Sequence, residues 1–556
     1  MSFGPAWQRI LRWKPVVACD LRQALRTGKT IFLLVVLAVL LGLLILGIGS
    51  AFGMTRAPAN FGFILFQIFF SLAYFIVTIL GAAVAAVGLA SEKDARTWDT
   101  LVLTGVDVRA IANGKFWTSA LAVFAFLVMI TPASLLSLLL GGVSVGEVVL
   151  AFALLGVIGV VAVAYGISVG AAAHGTGSAT LVAMASALVA APVLYVAAGF
   201  GMSLLAHATW PDVPSMAPVW LPLAYTRGRF DGWYALLLIA LPAGVVSLSL
   251  WFLYELTVAR LSTPAEDRIS GLKRWYLVAL PIVTAIATVP GFMTRGPSRI
   301  SAWLGGLGGL FLFLTFCGFV FVGDALAAPR KVEYRWTTRG ARWPTRVLGP
   351  GLVQTAMLLL VTSLLAFAVY ALVGAGVMSH DSTKGAPPAA SIGLLCSGEY
   401  WSAFFVFMVG FLVWARVRAD SPSGARVLST MVAAIALAAP WIAFLTFGYA
   451  AAQHLRDTLV IAAPSPLYSF VMVSAIEQGE PHVALTSGLL CSLGWISMGF
   501  VLFGLGARRA TRIVAEQRTL RANLEARIGH RAPSETTPAA EAPKEAPRDG
   551  AAPSEA

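Results

Sequence analysis

The chain has 556 residues, of which 58% are hydrophobic and only 12% are charged, and its mean hydropathy is +0.82. Soluble globular domains carry about 25% charged residues, so this composition excludes a soluble protein. The net charge of +13 does not indicate nucleic-acid binding, because the basic residues are spread over the loops between apolar runs.

Twelve apolar runs are candidates for membrane-spanning α-helices, which need about 20 residues to cross the hydrocarbon core of a bilayer. They predict an all-α polytopic membrane protein with about 12 transmembrane helices. In chain order the runs are 31–50, 61–90, 116–141, 148–170, 178–206, 234–257, 275–292, 303–323, 351–375, 400–415, 428–450 and 484–506.

The distribution of lysine and arginine predicts the orientation. If the loops alternate between the two sides, those on the side of the N-terminus hold 32 of the 39 basic residues. Basic residues accumulate in cytosolic loops, so we expect both termini to be cytosolic and the protein to be multi-pass in the cytoplasmic (inner) membrane. The loops on this side are 91–115, 171–177, 258–274, 324–350 and 416–427.

Residues 1–30 place apolar side chains at helical spacing between basic ones, which is typical of an amphipathic helix in the membrane interface. Pro15 is expected to interrupt that helix. The alternative is an ordinary positively charged flank of the first apolar run.

The loop 91–115 combines charge with helix signals. Ser91 is predicted to cap a short helix, whose first turn Glu92 and Asp94 would stabilise. Glu92 and Arg96 have the spacing of an i, i+4 ion pair. An ordinary structured loop is the alternative.

The second part of this loop has the signals of a turn between two helices. Trp98 and Leu101 fall on one side of the predicted short helix, which would lie along the membrane face. Gly105 is predicted to end that helix and Asp107 to cap the next one, which runs through Gly114 and Lys115 into the third span. Two short helices with an exposed joint would form a rigid knob.

The two halves of the chain repeat one spacing of spans and loops. Each has two spans, a basic loop (91–115 or 324–350) and then four spans, with a proline-aromatic segment before the sixth. This pattern predicts two tandem six-helix units, although chance similarity between apolar segments is the alternative. The segments are a first unit at 31–257, a linker at 258–274, a second unit at 275–506, a basic cytosolic helix at 507–530 and a disordered tail at 531–556.

The opposite side of the membrane is predicted to carry three longer loops, 207–233, 376–399 and 451–483. The first contains several prolines and tryptophans and is predicted to be a short, partly re-entrant cap. Two small-xxx-small pairs, Gly166/Gly170 and Gly305/Gly309, predict close helix packing within the bundle.

Signals for catalysis and cofactor binding are weak. The apolar runs are nearly free of ionisable residues, which weighs against a proton-coupled transporter or an intramembrane hydrolase. The four cysteines are scattered and indicate neither a metal site nor a disulfide framework. Gly28-Lys29-Thr30 lacks the upstream glycine of a phosphate-binding loop, where Gln23 stands. We therefore expect no enzyme and no cofactor in this chain.

The loop 91–115 resembles the segment after the second span in permeases of the ABC-2 type, which reads E-(R/K)-E-x-G-T-x-x-x-L-L-x-T-P-x-S followed by G-K. Arg96 replaces the usual glycine of this pattern and Gly105 replaces the usual proline. Asp107 occupies the position at which the family has a capping serine. The residues that match are Glu92, Lys93, Asp94, Thr97, Leu101, Thr104, Gly114 and Lys115.

The resemblance covers about residues 8–260. It implies that the chain is a permease subunit and that transport is export. It also implies that a separate ABC ATPase, which binds ATP and Mg²⁺, docks on the permease. The docking loop would comprise Glu92, Lys93, Asp94, Arg96, Thr97, Trp98, Leu101, Thr104, Gly105, Asp107, Gly114 and Lys115. The interfacial helix of the family would correspond to Trp13, Lys14, Asp20, Arg22 and Arg26.

Membrane lipid is a further expected partner, and without a tandem duplication the chain would pair with a second copy or a second permease. No nucleic-acid partner is expected. Two other classes remain open. A secondary transporter would need polar groups within the bundle to couple an ion. A membrane-embedded enzyme, or a non-catalytic assembly or scaffold protein, is the other alternative.

Overall fold

The structure is a computed structural model, and the regular secondary structure of the residues that it describes is entirely helical. Eleven of the described helices are long and apolar enough to cross a membrane, which confirms the all-α polytopic architecture. Each coincides with a predicted run. The described residues are 39, 42, 47, 58–95, 107–173, 175–211, 221–263, 266–296, 298–338, 340, 343–382, 389–419, 421–448, 458–479 and 482–529.

Several predictions concern residues outside this set. The interfacial helix (Trp13, Lys14, Asp20, Arg22 and Arg26) and the tail 531–556 lie outside the described residues, and the run 31–50 has only three positions within them.

The first half has five of the candidate spans. Ser144 begins one of them with a capping box, in which Ser144 Oγ accepts from the amide of Glu147 and the Glu147 carboxylate accepts from the amide of Ser144. The helices are α1 (Pro58–Asp94), α2 (Val108–Leu140), α3 (Val145–Ala172), α4 (Thr176–Leu194), α5 (Gly201–Thr209), α6 (Leu221–Arg227) and α7 (Gly232–Leu261).

The second half has the other six. Its last helix continues without a break from the last apolar run through the basic segment that follows. The helices are α8 (Ser270–Met293), α9 (Ser298–Phe321), α10 (Arg330–Thr338), α11 (Trp343–Val347), α12 (Leu352–Ser382), α13 (Ala389–Arg418), α14 (Pro422–Ala443), α15 (Tyr468–Glu477) and α16 (His482–Gly529).

Each half is organised around its fourth predicted span. In the first half α3 packs against α1, α2, α4 and α7, and in the second half α13 packs against α9, α12, α14 and α16. The two sets of buried side chains form separate apolar cores. Leu248, Phe252 and Leu256 of α7 pack against the second core, so α7 belongs to the first half and contacts the second.

The fifth predicted span of each half contains the same irregularity. A π-helical stretch follows Pro192 at Tyr195–Phe200, and another follows Pro440 at Phe444–Gly448. Proline removes one i→i−4 hydrogen bond and its ring clashes with the preceding turn, which favours such a local change of helix geometry. Both prolines are preceded by two alanines.

The prediction of close glycine packing is correct for one pair and wrong for the other. A Cβ on Gly166 would overlap the carbonyl oxygen of Ala82, and one on Gly170 would approach that of Ala86, so α3 lies directly against α1. Gly305 and Gly309 face open space. Their neighbour Gly306 makes the close contact instead, against the carbonyl oxygen of Ala287.

We expect Gly166→Val to lower the thermal unfolding temperature of the detergent-solubilised protein. The added side chain must displace backbone, and overpacking of this kind costs about 1–3 kcal/mol. Gly305→Val is the matched control, because its Cβ meets no atom within 4 Å. Equal unfolding temperatures for the two variants would contradict the packing of α1 on α3.

Candidate coupling site at the basic end of the bundle

The predicted N-terminal-side loops meet at one end of the bundle. We call it the basic end and define it by the described residues of 91–115, 171–177, 258–274, 324–350 and 416–427. Asp94 contacts Thr176 across two of these segments, and Ser270 Oγ donates to the carbonyl of Leu348 at 2.8 Å across two others. Their association on one face agrees with the alternation of loops that the charge pattern predicts.

The prediction that Ser91 starts a separate helix is wrong. Helix α1 continues to Asp94, so Ser91 lies in its last two turns and its hydroxyl donates to the carbonyl of Gly88 at 3.4 Å. No proline or glycine interrupts the chain between Gly88 and Asp94, so a good capping residue alone does not start a new helix. Glu92 and Asp94 therefore lie at a helix C-terminus, where the helix dipole disfavours them.

An ion pair offsets the unfavourable interaction between Glu92 and the helix dipole. Lys115 Nζ lies 2.5 Å from Glu92 Oε1, and the two side chains are only 9% and 19% exposed, respectively. Lys115 belongs to α2, so the pair joins the two ends of the loop 91–115. A charge-assisted hydrogen bond this short and this shielded is among the stronger polar contacts in proteins.

The next two residues of α1 reach two further helices. Lys93 Nζ donates to the carbonyl of Ala171, at the end of α3, at 2.5 Å. Asp94 Oδ2 accepts from the amide and the hydroxyl of Thr176, at 2.7 and 2.6 Å, and so caps α4. Glu92, Lys93 and Asp94 thus tie α1 to α2, α3 and α4 in succession.

The remaining predicted loop residues divide into two groups. Asp107 is the N-cap of α2 and accepts from the amide of Arg109 at 3.3 Å, while Gly114 is buried within α2. The others lie outside the described residues: Arg96, Thr97, Trp98, Leu101, Thr104 and Gly105.

The second half has an acidic anchor that sequence reasoning missed. Asp324 is 3% exposed and follows α9, as Glu92 ends α1. It accepts from the amide of Gly351 at 2.9 Å and the hydroxyl of Thr355 at 2.6 Å, at the start of α12. Lys273 Nζ, fully buried, lies 3.8 Å away and also donates to the carbonyl of Gly349. Asp324 therefore joins the two ends of the loop 324–350.

Two opposing effects act on the Asp324 carboxyl. Burial raises the pKa of this carboxyl above its ordinary value, and the Lys273 ammonium and the hydrogen bonds from Thr355 and Gly351 offset part of that rise by stabilising the carboxylate. With a cation and three hydrogen-bond donors converging on it, the carboxylate is compensated in the folded protein.

The loop 324–350 has the shape that was predicted for 91–115, since α10 and α11 form two short helices with a joint between them. Trp336 of α10 packs on Gly349, where a Cβ would overlap the indole ring. Arg518 of α16 pairs with Glu333 of α10 at 2.8 Å, and both side chains are largely exposed. The loop is thus anchored at both ends and also contacts the last helix.

Glu399 and Glu255 are carboxyl groups within spanning helices, and Glu255 also lies inside the predicted run 234–257. Helix α13 extends beyond the run 400–415, so Glu399, expected in a loop, lies within a spanning helix. Its Oε2 is buried without a hydrogen-bond partner among the described residues. Glu255 lies within α7 and accepts from the indole of Trp251 at 3.4 Å.

Comparison of the chain with protein-family models, with curated proteins and with solved structures finds no match. Within the described residues, no group of three or more histidine, cysteine or acidic side chains is placed to hold a metal ion. A functional assignment therefore depends on the geometry of the basic end together with the resemblance of its first loop.

Proposed function

We propose that the chain is the membrane-spanning permease subunit of an ATP-driven transporter of the ABC-2 type. It would export its substrate across the cytoplasmic membrane, with both termini in the cytosol and ATP hydrolysis on a separate subunit. The observation that carries the proposal is the attachment of Glu92, Lys93 and Asp94 to three different helices. A force applied to the loop 91–115 would pass directly to α1, α2, α3 and α4.

We propose further that the chain contains two tandem six-helix units. The fourth span of each half contacts its second, third, fifth and sixth spans, and the fifth span of each half has a π-helical stretch after a proline. In each half an acidic residue at the end of the second span bonds to the start of the third, as Glu92 does to Lys115 and Asp324 to Thr355. Three independent parallels support duplication better than spacing alone.

One chain would then supply both halves of the transport path, and the loop 324–350 would be a second dock for an ATPase. Its short helices α10 and α11 present an exposed surface between two anchored ends. Without duplication, two copies or two different permeases would pair instead.

The test is affinity capture of the tagged protein from gently solubilised membranes. We expect a soluble nucleotide-binding protein to be captured with it, and to be crosslinked from Val106→Cys in the first loop and from Thr337→Cys in the second. Crosslinking from Val106→Cys alone would restrict docking to the first loop. If crosslinked samples contain no nucleotide-binding protein, the permease proposal fails.

Glu399 supports a second candidate function, a secondary transporter. A carboxyl group within a spanning helix is a common site of proton or ion coupling. Transport that continues after ATP depletion and is lost in Glu399→Gln would favour this candidate. Transport that stops without ATP and is unchanged in Glu399→Gln would favour the permease.

A further inference from the structure

The two loops that we propose as docks differ in charge. The loop 91–115 holds four acidic and four basic residues, whereas the loop 324–350 holds two acidic and six basic ones. Two copies of one ATPase would present the same surface to both loops. A surface that is complementary to a loop without net charge cannot also be complementary to one with a net charge of +4, because specific partners match each other's charges in number and position.

The second loop displays part of its charge on an ordered surface. Arg335 of α10 and Arg346 of α11 are exposed, and Tyr334 of α10 is 68% exposed. The opposite side of α10 is held in place, since Val332 is buried and Trp336 packs on Gly349. Helix α10 therefore has a fixed inner side and an outer side with exposed arginine and tyrosine.

The described carboxylates that contact this loop are already engaged. Glu333 of α10 lies 2.8 Å from Arg518 of α16, and Glu266 of the preceding loop lies 3.5 Å from Lys331 of α10. The third, Asp324, is buried and belongs to the anchor at the end of α9. The two exposed arginines of α10 and α11 are thus additional to these ion pairs.

The contact with α16 shows how far α10 lies from the membrane. Arg518 comes 12 residues after the last apolar run, which ends at residue 506, and this separation is about 18 Å along a helix axis. The headgroup layer on each side of a bilayer is only about 5–8 Å thick. Because Glu333 meets Arg518 at 2.8 Å, α10 lies beyond that layer. This position favours a soluble acidic protein over anionic lipid as its partner.

We propose that the two loops dock two different ATPase subunits, and that the subunit at the loop 324–350 has an acidic docking surface. This inference rests on the proposed function, in which each loop is a dock. Tyr334 and Arg335 would be the central contacts, since exposed tyrosine and arginine are residue types that contribute most to binding at interfaces. Arg346 would extend the contact to α11, and the loop 91–115 would select the other subunit.

The test is photo-crosslinking in native membranes, with a thiol-reactive photo-crosslinker attached to Val106→Cys or to Thr337→Cys. Thr337 is exposed on α10. Mass spectrometry identifies the crosslinked products, and the parent chain with its four natural cysteines is the control for labelling elsewhere. We expect two different nucleotide-binding polypeptides, one from each position.

The outcomes separate this inference from the proposed function. The same polypeptide at both positions would overturn the inference and leave the permease proposal intact. A nucleotide-binding polypeptide at only one position would also overturn it, and phospholipid as the product at Thr337→Cys would identify the basic surface as a lipid site. No nucleotide-binding polypeptide at either position would overturn both proposals.

A charge reversal tests the acidic partner. Arg335→Glu/Arg346→Glu should lower capture of the subunit at the second loop by about tenfold or more and leave capture of the other subunit within about twofold. Raising the salt concentration should likewise weaken capture at the second loop more than at the first, because exposed charges are screened. Capture is measured without ATP, so that each subunit is held by its own loop.

The matched control for the reversal is Arg274→Glu, which changes an exposed arginine of α8 at the basic end and should keep both subunits. An unchanged midpoint of thermal unfolding shows that the double variant is folded. Equal loss of both subunits by a folded double variant, or full capture of both, would overturn the acidic docking surface. If the double variant does not fold, the crosslinked products decide.

Discussion

A Glu92→Lys variant should insert into the membrane normally and lose capture of the proposed nucleotide-binding partner by about tenfold or more, which corresponds to about 1.4 kcal/mol. The substitution places a second ammonium against Lys115, which lies 2.5 Å from the Glu92 carboxylate. The ends of the loop 91–115 would repel each other, so the docking surface between them would lose its fixed geometry. Affinity capture followed by quantification of the bound ATPase measures the effect.

The charge swap Glu92→Lys/Lys115→Glu separates two roles of the pair. If the pair acts by holding the loop, the swap should restore most of the capture, because the attraction is re-formed. If Glu92 itself contacts the ATPase, the swap should remain defective. Glu516→Lys, with the same change of charge on the exposed part of α16, is the matched control. Full capture by Glu92→Lys would remove this pair from the coupling mechanism.

Asp324→Ala should destabilise the protein by about 3–5 kcal/mol, the usual cost of removing one partner from a buried ion pair. Lys273 is 0% exposed and would lose the carboxylate that compensates its ammonium group, while Gly351 and Thr355 would lose their acceptor. The midpoint of thermal unfolding in detergent, and the resistance of the loop 324–350 to proteolysis, measure the loss.

Two further variants make this result interpretable. Lys273→Met/Asp324→Asn removes both charges and should recover much of the stability, since a buried pair replaced as a whole is often tolerated. Glu333→Gln breaks the exposed pair with Arg518 and should change stability by less than about 1 kcal/mol. A loss in Asp324→Ala as small as that in Glu333→Gln would contradict the buried anchor.

The elements that sequence predicts best are those set by short-range patterns. Hydropathy over about 20 residues identifies the spans, and the Asp107 cap and the Gly166/Gly170 approach follow from local chemistry that the fold retains. Ser91 shows the limit of such rules, because its capping signal is overridden by the continuation of α1.

The rest depends on contacts between segments far apart in the chain. Lys93 finds its acceptor 78 residues away, and Asp94 caps a helix 82 residues away. Lys273 and Asp324 are adjacent only because α8 and α9 pack together. No local motif links the two members of any of these pairs. The sequence alone therefore predicts that the residues lie at one end of the bundle, but it does not predict which of them contact each other.

The length of α16 has a mechanical consequence. Its 48 residues correspond to a rod of about 72 Å at 1.5 Å per residue, whereas the hydrocarbon core takes up about 30 Å. The remainder extends beyond the basic end as a stiff projection, and Arg518 on its side meets Glu333 of α10. A soluble protein that binds the loop 324–350 would therefore meet the side of this projection as well as the loop.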